Sequence, residues 1–398
     1  MEQVTEKYKQ TDIGLIPNDW EVKTINEAFD ICNNLRLPLS ETVRKQMQGE
    51  YPYYGPTKIQ DYINEYRVEG EYALIGEDGD HFLKWNEMPM TQIVYGKFNV
   101  NNHAHLVKGK TNIAITKWFY HYFKNRDITR HLTRQGAGRY KLSKTALVDL
   151  LCAIPPTSQE QNNIATALND ADKLITALEK LIAKKRAIKQ GAMQELLKPK
   201  DGWKVRKLGD CLRQNPDYGI NAAAVPYNES LPIYLRITDI TEDGKYSKKN
   251  IVSVDSTSSS AYYLHEGDLV FARTGASVGK AYLYDIRDGE LVFAGFLIRI
   301  KTNPEILIPE YFQFYTQTSS YWDWIRANSM RTGQPGINGN EYKELIIYLP
   351  SKSEQTRIAT ILSDMDSEIE ALEKKLGKYK MIKQGMMQNL LPGRIRLI

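Results

Sequence analysis

The stretch IKQGAMQELL at Ile188–Leu197 returns as IKQGMMQNLL at Ile382–Leu391, an offset of 382 − 188 = 194 residues in a chain of 398. Followed backwards, the match begins with EQNNIATALNDADKLITALEK from Glu160 against EQTRIATILSDMDSEIEALEK from Glu354, and about 22 of 38 aligned positions are identical. A repeat at half the chain length means that one structural plan is written twice, each copy closing on the same element.

Both copies read as helix. In the second, Ile358, Leu362, Met365, Ile369, Leu372, Leu376 and Tyr379 step by four and three, and in the first Ile164, Leu168, Ala171, Ile175, Leu178 and Ile182 do the same. That is the heptad spacing of a coiled-coil seam. A helix of about 38 residues spans roughly 57 Å, and its long polar faces leave one stripe to bury. The nearest partner is the other copy, held at high effective concentration by the shared chain. Pairing with a second molecule, or packing on its own domain, are the alternatives.

The segments between the helices also correspond. IPNDWEVKTINEAFD, with Trp20, and PKDGWKVRKLGDCL, with Trp203, open the two halves, and GEYALIGEDGD from Gly70 parallels GDLVFARTGAS from Gly267 with a one-residue gap. Each of the latter is an apolar strand-like run breaking into a glycine loop. An aromatic helical stretch, a basic glycine-containing turn (RQGAGRYK or MRTGQPGIN) and a closing strand ending AIPP or IYLP follow in both halves. The expected fold is α+β: two similar mixed α/β domains over 1–157 and 199–351, separated by helices over 158–198 and 352–398 that pair as an antiparallel coiled coil.

Composition narrows the class. A 42% hydrophobic and 25% charged chain is ordinary for a folded soluble protein, and a formal charge of +5 suits a polyanionic partner without demanding one. The longest apolar runs, such as LVDLLCAIPP from Leu147, are far too short to cross a bilayer, so no membrane association and a cytoplasmic location are expected. Cys32, Cys152 and Cys211 are odd in number and scattered, which suits neither disulfides nor a zinc site.

Motifs that invite chemistry fall short of it. TGASVGKA at Thr274–Ala281 has three residues between its glycines and Ala281 after Lys280, where a phosphate loop needs four and a hydroxyl for Mg²⁺. A turn exposing Arg273, Thr274 and Lys280 is the expectation instead. His103 and His105 share one face of a strand in NNHAHLV, but no third ligand lies at a useful spacing, so no metal is expected. No nucleophile, metalloprotease or dinucleotide signature is present, and no catalytic residue is assigned. The basic turns carry more weight. Arg130, Arg134, Arg139, Lys141 and Lys144 surround QGAGRY, while Arg326, Arg331 and Gln334 lie at or beside TGQPGIN. Arg, Lys and Gln on loops can reach phosphates and base edges.

Two globular halves, two near-identical helices with EQ…IA…L…D, ALEK and IKQGxMQxLL, and the phrases YPYYGPTKIQDYI, LIGEDGD, FARTGASVGKAYL and GQPGIN together resemble the specificity subunit of type I restriction-modification systems over essentially the whole chain. The resemblance implies that each globular domain reads one half of a split, asymmetric DNA sequence. It also implies that the helix pair acts as a spacer docking two methyltransferase subunits, that restriction/translocase subunits join them, and that this chain performs no chemistry. S-adenosylmethionine, ATP and Mg²⁺ would then belong to partner subunits. It places Lys58, Glu77, Asp78, Arg134, Arg139, Lys141, Arg273, Thr274, Lys280, Arg331 and Gln334 among candidate DNA contacts. If these loops face the major groove, Glu77 or Asp78 would accept from cytosine N4 and Arg273 donate to guanine; the alternative is that both loops are structural turns. The competing readings are a coiled-coil scaffold that binds protein or RNA without DNA sequence specificity and, third, a self-contained enzyme.

Overall fold

The structure, a computed structural model, describes residues 7–135, 139–330 and 333–398. It comprises two compact units, one of residues 1–179 and 374–398 and the other of residues 180–373. Each unit therefore holds one globular half together with a segment of both long helices, Ser158–Leu196 and Lys352–Leu390. At 39 residues each, these helices are about 59 Å long.

Both helices start for the same local reason. Thr157 Oγ1 accepts from the Glu160 N–H at 3.2 Å and Ser351 Oγ from the Glu354 N–H at 3.3 Å, satisfying N–H groups that the helix cannot pair itself. The next residue of each repeat then clamps the helix to its globular half. Gln161 Oε1 accepts from the Ile115 N–H at 2.9 Å while its Nε2 donates to the Ile113 and Pro155 carbonyls at 2.9 and 3.1 Å. Gln355 repeats the pattern with Ile308, Ile306 and Pro350 at 2.9, 2.9 and 3.2 Å. Both glutamines are buried, so the full set of bonds is required of them.

The globular half of the first unit is built on an antiparallel sheet in the order Phe29–Ile31, Ala104–Gly109, Tyr72–Gly76, Thr91–Val94. That of the second repeats it with Asp217–Tyr218, Leu297–Lys301, Asp268–Ala272 and Ala281–Leu283. In the first half, after a hairpin of Tyr8–Thr11 and Gly14–Pro17, strand Glu21–Thr24 pairs antiparallel with the closing strand Leu151–Ile154, and in the second Lys204–Lys207 pairs likewise with Ile346–Leu349. A second four-stranded sheet contains one parallel pair in both halves, but its fourth strand joins opposite edges: Val68–Glu69 beside Lys97–Val100 in the first, Ala224–Pro226 beside Val252–Val254 in the second.

Within each unit the helices run antiparallel. In the first unit Lys383 pairs with Asp172, and Lys380 with Glu179 at 2.7 Å. In the second, Lys185 meets Glu368, Arg186 meets Glu373 and Lys189 meets Asp366, at 2.7, 2.6 and 2.7 Å. The heptad positions divide into two roles. Ile164 and Leu168 are fully buried in the core of the first half, alongside Trp20, Trp118, Leu390 and Leu391. Ile358 and Leu362 occupy the matching place in the second, with Tyr311, Met193 and Leu197. Leu178, Ile182 and Ile369 are buried farther along, and Ile175, Met365, Leu372 and Leu376 are half-buried. Pairing between the copies and packing on the domain, posed as alternatives, thus both occur: the first two seam positions of each helix are buried in the core of its globular half.

Candidate nucleic-acid interface

In both halves the central sheet runs out into the same loop arrangement. Strand Tyr72–Gly76 leads into Glu77, Asp78 and Gly79, and strand Asp268–Ala272 into Arg273, Thr274 and Gly275. The Glu77 N–H donates to the His103 carbonyl at 2.8 Å, as the Arg273 N–H does to that of Phe296 at 3.1 Å. The Glu77 carbonyl accepts from Leu142 at 2.8 Å and the Arg273 carbonyl from Ile337 at 2.9 Å. The N–H groups of Gly79 and Gly275 reach the Tyr140 and Pro335 carbonyls, both at 3.0 Å. Their φ angles of +133° and +72° explain why glycine closes each loop. The backbone thus equates Glu77 with Arg273, Asp78 with Thr274, His103 with Phe296, and Arg139 with Gln334.

On this shared frame the side chains diverge. In the first half Glu77 is held by Arg36 Nη1 at 2.5 Å and Lys141 Nζ at 3.3 Å. Burial alone would raise the Glu77 carboxyl, but the Arg36 hydrogen bond and the neighbouring His105, with Lys141, outweigh it and keep the group below the ordinary carboxylate range. Asp78 lies 2.8 Å from His103 Nδ1 and is the more open of the two carboxylates. His105, in contrast, is buried with Nδ1 beside Asn33 and Nε2 on the Leu142 carbonyl, both at 2.8 Å. It is a packing residue. No cluster of three or more potential metal-ligating side chains occurs among the described residues.

In the second half the Arg273 guanidinium lies 4.9 Å from the centre of the Tyr218 ring, and no carboxylate among the described residues pairs with it. Gln334 is exposed and its amide lies over Gly275, where a Cβ would come within 2.8 Å of Nε2. Thr274 bridges to Gly336 across the loop pair. Lys280 is less open than expected: its ammonium binds Glu242 at 2.6 Å and its side chain is only 17% exposed. The turn following Arg273 therefore draws Lys280 into the surface.

The remaining candidates sit nearby or apart. Lys58 is exposed on the hairpin tip after strand Gln48–Tyr54, and Pro56 of that tip approaches Gly76 at the start of the Glu77 loop. Arg134 and Arg139 are exposed on a two-stranded hairpin, Arg134 over the Tyr140 ring at 5.5 Å. Arg331 lies outside the described residues. Arg36 and Tyr218, which hold Glu77 and Arg273, escape a reading of the sequence because they are remote in the chain and part of no motif; only the fold brings them in.

A second repeated feature lies where the helices meet each half. A cavity of about 780 Å³ in the first unit is lined by Asp172, Ile175, Lys380, Lys383, Gln384 and Met387, together with residues of the globular half. A cavity of about 490 Å³ in the second is lined by Asp366, Ile369, Arg186, Lys189, Gln190 and Met193, the same six positions shifted by 194. The globular sides differ: Trp85, Glu87 and Arg126 line the first, Glu242, Asp243 and Lys245 the second. Asp172 also takes Lys124 at 2.7 Å, so two ammonium groups share one carboxylate. Burial and the neighbouring Lys124 push the Lys383 ammonium below its usual pKa.

Comparison with known proteins agrees with this double architecture. The family model described as the type I restriction modification DNA specificity domain matches twice, at residues 17–190 and 200–382. A putative type I restriction enzyme specificity subunit of Haemophilus influenzae is 26% identical over 372 residues, covering 87% of this chain and 88% of that protein. The putative MjaX specificity subunit of Methanocaldococcus jannaschii is 25% identical over 441 residues, covering 98% and 97%. Among solved structures, the S subunit of a type I restriction-modification system from M. genitalium superposes with a TM-score of 0.65 at 14% identity, over 97% of this chain and 98% of that one, which establishes likeness of fold.

Proposed function

The chain belongs to the type I restriction-modification DNA specificity family, as a subunit with two target-recognition domains, and from that premise we propose how its residues divide the work. Each half reads one part of a bipartite, asymmetric DNA target through the loops at the end of its central sheet. The observation that carries this reading is the pairing of one backbone frame with two unlike side-chain sets, Glu77, Asp78 and His103 against Arg273, Thr274 and Phe296. A shared frame presents side chains to the same depth, and different side chains select different bases. Acceptors on the first half suit cytosine N4, with Asp78 better placed than the ion-paired Glu77, and Arg273 on the second suits guanine O6 and N7. Lys58, Arg134 and Arg139 supply salt-dependent attraction to phosphates.

The helix pair sets the spacing between the parts. Repetition of six cavity-lining positions, five with the same residue and the sixth Lys380 against Arg186, gives two identical partners equivalent surfaces on a chain that is itself single, and these partners are the methyltransferase subunits. Restriction/translocase subunits join that core in the cytoplasm. The chain itself supplies recognition; methyl transfer from S-adenosylmethionine and ATP- and Mg²⁺-dependent translocation reside in the partners. Equilibrium binding of the assembled methyltransferase complex to duplex DNA tests the proposal. A steep inverse dependence on salt together with preference for one split sequence supports it. Equal binding to all duplexes, or binding to RNA or protein alone, refutes it.

A further inference from the structure

Of the ten phenylalanines in the chain, nine are buried to 5% exposure or less, and Phe296 is 56% exposed. It stands in the turn between strands Leu291–Phe293 and Leu297–Lys301, and the turn is fixed. The Gly295 N–H donates to the Ile220 carbonyl at 2.8 Å, the Leu297 N–H to that of Ala294 at 2.8 Å, and the Phe296 carbonyl accepts from Arg273 at 3.1 Å. Gly219 packs against the same turn so closely that a Cβ there would lie 2.3 Å from the Phe293 and Ala294 carbonyl oxygens. An aromatic ring left in water contributes little to folding. On a rigid mount it binds without an ordering penalty.

Building on the DNA-reading function proposed above, we infer that Phe296 is a specificity-determining residue of the second half that packs against the 5-methyl group of one thymine. The major-groove edges of the bases carry donors, acceptors and a single kind of apolar group, the thymine methyl. An exposed phenyl ring has no hydrogen bond to offer, so that methyl is its complement. The Phe296 backbone carbonyl accepts from the Arg273 backbone N–H, which places an apolar reader beside a guanine reader on one pinned loop pair. The equivalent position of the first half holds His103, engaged with Asp78 at 2.8 Å, so methyl reading by this position is confined to the second half.

The test uses the assembled complex and duplexes bearing its methylation target, with each thymine of the second half-site replaced in turn by deoxyuridine, which removes only the methyl. Wild type should lose about fourfold in affinity at one such position, the effect of one apolar methyl contact. Phe296→Ala should bind thymine and uracil duplexes equally, with the same loss already present. Wild-type indifference to every replacement overturns the inference, as does a Phe296→Ala complex that keeps the thymine preference, or a second half-site without thymine on either strand. Absence of any split target for the wild type would instead refute the DNA-reading function itself.

Discussion

Replacing Arg273 by Ala should relax one base of one half-site. The Arg273 loop is held by backbone bonds to Phe296, Ile337 and Pro335, none of which involves the guanidinium, so the substitution leaves the reading frame in place. What disappears is a donor fork steadied by the Tyr218 ring at 4.9 Å. A bidentate arginine–guanine contact discriminates by about 1–3 kcal/mol, or roughly 5- to 150-fold in relative affinity. Loss of the ring through Tyr218→Leu should cost about 0.5–1 kcal/mol at the same base, a few-fold effect. Arg273→Lys should restore discrimination only in part, because an ammonium can donate to guanine O6 and N7 but lacks the planar fork that the Tyr218 ring steadies. The assay is competition binding of the assembled complex, at fixed salt, against duplexes carrying all four bases at every position of the target. The reasoning fails if Arg273→Ala weakens all sequences uniformly and lowers the salt slope by about one, which would mark a phosphate contact, or if the first half-site changes.

Other consequences follow from the structure. Gln161→Ala removes three bonds between a buried side chain and the backbone and should destabilise the first unit by about 3 kcal/mol, Gln355→Ala doing the same to the second; chemical denaturation showing less than about 1 kcal/mol for either would contradict the clamp. His121 is buried beside Asn169, and burial with the neighbouring Lys124 pushes its pKa down to about 4. A neutral buried imidazole stabilises the fold fully above pH 6.5, and that contribution is lost as pH falls from 6.5 towards 4, by up to about 3 kcal/mol. His121→Asn should flatten that part of the stability profile, and an unchanged profile would refute the assignment. One added heptad after Leu181, matched by one in the opposing helix, adds about 10 Å of helix and should lengthen the unread spacer by about three base pairs. A methylation motif with its original spacer would sink the ruler idea.

Much of the fold was legible because one plan is written twice. The helix starts, the heptad positions and the glycine loops at Gly79 and Gly275 were recognisable from spacing alone, since helix caps and positive-φ turns are local chemistry. The division of the heptads between globular core and helix pair was not, because Ile164 and Ile175 read alike until the neighbouring sheet is placed. In the site, sequence singled out Glu77, Lys141 and Arg273 but not the pairing of Lys141 with Glu77, nor Arg36 and Tyr218. Arg36 and Lys141 lie 77 − 36 = 41 and 141 − 77 = 64 residues from Glu77, and only the fold joins them. Phe296 was hidden for a different reason: within LVFAGFLIRI it looks like one more core residue, and only the turn at Gly295 turns it outward.

A genome-wide map of methylated bases in the source organism, with and without this gene, tests the central claim most directly. The account predicts that deletion removes methylation at one split, asymmetric motif, and that Arg273→Ala broadens only the half read by the second domain. An unchanged methylation map, with the partner methyltransferase present and active, would contradict it.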